Sequence, residues 1–94
     1  MERSFRTHVF SAVIAFATLG ILRPPLIWWA VITLVVALVL AAELINAAFE
    51  GLIDHLHPEI HPRIGVVKDM AAGGVLITAI ASLVIAGLMV LDLF

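Results

Sequence analysis

The sequence has no cysteine, which excludes disulfides and thiolate metal sites. Charged residues make up only 13% of it. The net charge of −2 is too small to suggest a nucleic-acid surface or long-range steering. Proline is confined to two places, Pro24–Pro25 and the pair Pro58 and Pro62, so little interrupts the rest. What fills the chain instead is hydrocarbon. Its 94 residues are 64% hydrophobic, with a mean hydropathy of +1.23. A soluble domain of this size buries too small a fraction of its surface to hide that much apolar area. The composition implies an integral membrane protein, all-α, with one membrane domain over residues 1–94.

Three apolar stretches stand out. The first runs from about Thr7 to Leu22 and stops at "RPP", because proline cannot continue a helix and restricts the residue before it. The second begins at Leu26, and the third covers Val66 to Leu93. The expected helices span about 3–22, 26–55 and 64–93, with a polar loop at about 55–64 containing "HLHPEIHPR". A membrane-spanning helix needs about 20 apolar residues. The second and third stretches meet that. The first is short and needs thinning of the bilayer, snorkelling ends or burial against neighbours. It is not a signal peptide: cleavage after "AFA" would leave an apolar region of about six residues, under the usual ~7–15. Arg3, Arg6, Arg63 and Lys68 fall on one side and Arg23 on the other. That bias puts the N-terminus and the His-rich loop in the cytoplasm, and the C-terminus outside. Trp28 and Trp29 then lie at the outer interface.

The stretch "AAELINAAFEGLID", Ala41 to Asp54, breaks the apolar pattern. Steps of about 100° per residue place Glu43, Asn46, Glu50 and Asp54 within a sector of roughly 80°. They form a stripe that descends from the cytoplasmic interface at Asp54 into the membrane at Glu43. An ionisable group at such depth costs several kcal/mol unless paired or solvated, so Glu43 is a functional candidate first. Asp54 is equally well explained as a helix end reaching water, and Asn46 as interhelical hydrogen-bond glue.

The third helix opens with "KDMAAGG", which brings Lys68 and Asp69 in from the same side. Carboxylates with an amide carbonyl suit Mg²⁺, and a nearby Lys suits phosphate oxygens. Glu2 reaches the same level. Composition and spacing by themselves stop at a membrane site for a cation or a proton. His55, His57 and His61 alternate with prolines and read as a solvated loop, not a metal site. Gly74, Thr78, Ser82 and Ala86 form a line of small residues suited to close helix packing.

"AAELINAAFEGLID" followed by "KDMAAGGVLI" resembles the prokaryotic diacylglycerol kinase family, which includes undecaprenol kinases. The E-L-I-N, the second Glu, the Asp and the spacing from Asp54 to Lys68 match the family pattern. "ERSFRTH", Glu2 to His8, is similar to the family's E-R-N-x-R-x-H segment. The resemblance covers essentially the whole chain and is strongest from Ala42 to Ile77. It implies a bacterial inner-membrane kinase, a homotrimer with three transmembrane helices per subunit and active sites shared between neighbours. It implies transfer of the γ-phosphate of MgATP to a lipid alcohol, diacylglycerol first, giving phosphatidic acid, with undecaprenol as the alternative. Carried over by position, Glu43 is the general base and Glu50 and Glu2 are metal ligands. Asn46 helps place the phosphates or the base. Lys68 contacts the ATP phosphates, Asp69 lies in the nucleotide pocket and Asp54 near it.

Ala47 stands where the family commonly has Ser or Thr, and Phe49 where it has Ile. An amphipathic surface helix usually comes before the E-R-N-like segment in the family, whereas this sequence opens at Met1 with Glu2 next. In the family that helix helps cover the active site and contributes nucleotide contacts, so catalytic efficiency, lipid choice and activity itself are the properties its absence would put in question. Two other classes compete: a small oligomeric proton or cation transporter using Glu43 and Glu50, and an inactive membrane scaffold. Lys68 separates the first of these, since a transporter has no evident use for a phosphate-binding cation.

Overall fold

In a computed structural model the chain forms three helices: α1 (Arg3–Leu22), α2 (Leu26–Leu56) and α3 (Pro62–Leu93). The structure describes residues 3–56 and 62–94. All three helices are long and apolar enough to cross a membrane. At 1.5 Å per residue, α1 is about 30 Å long, just the thickness of a bilayer core. It reaches that length by taking in residues 3–6, and the charged end of Arg6 can snorkel. The 31 residues of α2 and 32 of α3 run to about 46–48 Å. About a third of each therefore stands clear of the hydrocarbon, at the end that carries the charges.

The turn between α1 and α2 is set by its prolines. The Arg23 N–H donates to the Leu19 carbonyl at 2.9 Å, and Arg23 takes a left-handed conformation with φ 50°. That conformation caps a helix, but a residue with a Cβ enters it at a cost that glycine avoids. Arg23→Gly is expected to stabilise the fold by about 0.5–1 kcal/mol. Reversible unfolding in mixed micelles would measure it; a loss of stability would mean that the arginine head group supports the turn.

α2 is the middle helix and packs on both α1 and α3, while the α1 and α3 backbones stay apart. Its buried residues are Ile32, Val39 and Glu43, at spacings of seven and four, one face of a helix. Leu19 of α1, Ile32 of α2 and Met89 of α3 form the core cluster at the end that holds the α1–α2 turn. There the Trp28 indole N–H donates to the Asp92 carboxylate at 2.7 Å, tying the start of α2 to the end of α3. Large apolar side chains such as Leu34, Ile77 and Leu83 remain exposed. A soluble monomer rarely presents so continuous an apolar surface, but a bilayer covers it at no cost.

Four hydroxyls within the spans bond to carbonyls of their own helices. Ser11 donates to the Thr7 carbonyl at 3.0 Å, Thr18 to Ile14 at 2.9 Å, Thr78 to Val75 at 2.8 Å and Ser82 to Ala79 at 2.6 Å. This local bonding is what lipid demands of a polar group without another partner. The line of small residues on α3 is divided. Thr78 and Ser82 are half-buried, but Gly74 and Ala86 are exposed, and a Cβ on Gly74 would meet nothing within 4 Å. Close packing along the whole line is thus not used inside one chain.

The loop expected at about 55–64 yields residues to helix at both ends. His55 belongs to the last turn of α2, where a basic group complements the helix dipole. Pro62 starts α3, the first helical position being the one proline tolerates. His57 and His61 lie outside the described residues.

Candidate functional site

Continuing the α2 seam beyond Ile32 and Val39 at 100° per residue leads to Glu43, then Glu50 and Asp54. The polar stripe is the buried apolar seam prolonged toward water, and Glu43 is where the seam changes character. Counting about 20 residues inward from Leu26 puts Glu43 just inside the hydrocarbon, with Glu50 and Asp54 beyond it. Exposure follows the same order. Glu43 is 5% exposed, Glu50 is half-buried and Asp54 is exposed.

The buried carboxylate has a partner from another helix. His8 Nδ1 of α1 lies 3.1 Å from Glu43 Oε1, and the imidazole is itself three-quarters covered, with 25% of its side chain exposed. A charge-assisted hydrogen bond of this kind offsets part of the cost of holding a carboxylate out of water. His8 also lines an apolar groove of about 140 Å³ between α1 and α2, with Ser11, Ala15, Val36, Val39 and Leu40 among its walls. The groove runs from the His8–Glu43 pair toward the bilayer interior.

At the aqueous end Lys68 of α3 donates to Asp54 of α2. Two residues expected near a nucleotide are thus brought together. Their side chains are 35% and 63% exposed, so the pair is solvated and exchangeable, worth about 0–1 kcal/mol. Asp69, one step further along α3, is exposed and points about 100° away from Lys68. Asn46, at the edge of the stripe, lines a groove of about 280 Å³ between α2 and α3, shared with Phe49, Met70 and Gly74. Its Oδ1 is buried and has no hydrogen-bond partner among the described residues. A buried amide oxygen left unpaired costs about 1–3 kcal/mol, so this position calls for a partner beyond those that the described residues supply.

Glu2, expected as a metal ligand, lies outside the described residues. Among the described residues no three His, Asp or Glu side chains gather closely enough to hold a metal on their own. What Glu50 and Asn46 offer is oxygen, the donor that Mg²⁺ prefers. Mg²⁺ is commonly held by one or two carboxylates, with water and phosphate oxygens completing the shell, so an incomplete protein set fits it in kind.

The model of the prokaryotic diacylglycerol kinase family matches residues 1–90. The chain belongs to that family. A protein named diacylglycerol kinase from Synechocystis sp. is 35% identical over 91 residues, covering 96% of this chain and 52% of the relative. A protein named undecaprenol kinase from Bacillus subtilis is 31% identical over 84 residues, covering 89% of this chain and 68% of the relative. The chain thus spans about half the length of the first of these curated relatives and two thirds of the second. No solved structure matches it.

In this member of the diacylglycerol kinase family His8 joins the site through its contact with Glu43, although as the last residue of "ERSFRTH" it shows no role of its own in the sequence. The signal available is a histidine inside an apolar span, about as far from the charged end of the helices as the deepest carboxylate of another span.

Proposed function

We propose that the chain is an ATP-dependent lipid kinase that transfers the γ-phosphate of ATP to the hydroxyl of a membrane lipid alcohol. The observation that carries this is the buried carboxylate of Glu43, paired with His8 at the head of an apolar groove and two to three turns below Glu50, Asp54 and Lys68. In this reading a lipid's chain lies along the groove, on its side open to the bilayer, with the hydroxyl at the membrane-level carboxylate and the nucleotide at the aqueous end. Glu43 accepts the hydroxyl proton as the oxygen attacks the γ-phosphorus, and ADP leaves. Lys68 exchanges Asp54 for phosphate oxygens, with Asp54 and Asp69 at the nucleotide's edge. Glu50 and Glu2, with the phosphates, would hold Mg²⁺, which would supply neutralisation of phosphate charge.

Diacylglycerol is the first substrate of choice. Undecaprenol is the second reading, favoured by the B. subtilis relative, two thirds of which this chain covers. The assembly is a homotrimer in the bacterial inner membrane, with the N-terminus and the segment after α2 in the cytoplasm and the C-terminus outside. The orphaned Asn46 oxygen and the open face at Gly74 support a neighbouring subunit beside α3.

Labelled ATP, Mg²⁺ and the chain in mixed micelles, offered diacylglycerol and undecaprenol side by side, test the reading. Labelled lipid names the substrate; an intact oligomer that labels neither would overturn the kinase assignment. Glu50→Gln is expected to weaken Mg²⁺-dependent ATP binding by about tenfold, one charge-assisted contact's worth. An unchanged Mg²⁺ titration would remove Glu50 from the ligand set.

A further inference from the structure

The geometry points to His8 as the positioning residue of Glu43: it holds the carboxylate in one orientation across the α1–α2 interface. The inference rests on the assignment of Glu43 as base. Glu has three side-chain torsions, and a carboxylate at the end of three rotors presents its lone pairs in many directions. Fixing one oxygen by a directional N–H bond leaves the other to face the reacting hydroxyl in one geometry. Every other polar group of the stripe lies on α2 itself and moves with Glu43. His8 stands on a different helix, so its bond fixes the carboxylate relative to the groove that α1 helps to wall. The imidazole is three-quarters covered, so water is poorly placed to substitute for it. Positioned bases of this kind rely on a second group to orient them, and loss of that group costs turnover more than binding.

The test compares His8→Leu, which removes the donor, with His8→Asn, whose amide nitrogen falls near the place of Nδ1. Both are measured as assembled full-length chains in mixed micelles, with Glu43→Gln alongside. His8→Leu is expected to lower kcat by roughly 10–100-fold with KM for MgATP unchanged. His8→Asn is expected to recover most of that loss. The ¹⁵N signals of the His8 imidazole should shift in Glu43→Gln, a readout independent of turnover. Full activity of His8→Leu beside an inactive Glu43→Gln would overturn the positioning role and leave the base assignment standing. Equal losses in His8→Leu and His8→Asn would also overturn it, since a donor would then not be what matters. Activity in Glu43→Gln would remove the base assignment, and this inference with it.

Discussion

Glu43→Gln is expected to reduce phosphoryl transfer by about 10²–10⁴-fold, the usual contribution of a general base. The substitution keeps the size of the side chain and its ability to hydrogen-bond His8, so the α1–α2 contact survives. It removes the negative charge that accepts a proton. Because Glu43 is 5% exposed, exchanging a buried carboxylate for an amide should also leave the fold as stable or slightly more so. The discriminating pattern is a collapse of kcat with affinity for MgATP and oligomeric state preserved. Initial-rate kinetics together with nucleotide binding on the same preparation would show it. Weakened MgATP binding with normal turnover at saturation would instead make Glu43 a nucleotide or metal ligand.

The second large effect belongs to Lys68. Lys68→Met is expected to raise KM for ATP by roughly 10–100-fold, because a hydrogen bond from a charged donor to phosphate is worth about 1.5–3 kcal/mol. Its effect on stability should be small, since the partner lost in the free protein is a solvated Asp54. Asp54→Asn serves as the control. It frees Lys68 from its partner, and so should leave KM for ATP unchanged or lower it unless Asp54 itself meets the nucleotide. Titration of ATP against both variants separates the two roles. If Lys68→Met binds ATP normally, phosphate recognition lies elsewhere and the transporter reading regains ground.

Much of this arrangement was legible in the chain. The three spans followed from hydrophobic runs, and the α1–α2 break from Pro24 and Pro25, because length and proline act locally. The stripe from Glu43 to Asp54 was readable because it lies on one helix and needs only the helical period. The cross-helix pairs were less so. That Lys68 meets Asp54, and His8 meets Glu43, depends on how each helix is rotated about its own axis against α2. Long spans that are apolar nearly all round leave this undetermined, since almost any face can be buried or left to lipid. The left-handed Arg23 was hidden for another reason: nothing in an arginine announces a conformation that glycine would favour. The division of the Gly74–Ala86 line was equally out of reach, because a single strip of small residues does not say which helix will use it.

The tie between Trp28 and Asp92 has a mechanical consequence. With the apolar cluster of Leu19, Ile32 and Met89 beside it, it makes the α1–α2 turn end of the bundle a pivot, as in a pair of tongs. Bonds at the other end are ionic and can be traded for water or ligand. Thermal bending then concentrates where the helices rise out of the lipid, and the same angular play gives the largest displacement there. The end with the tie and the cluster keeps the three helices in register, and any angular play between them is largest at the end that carries Glu50, Asp54 and Lys68.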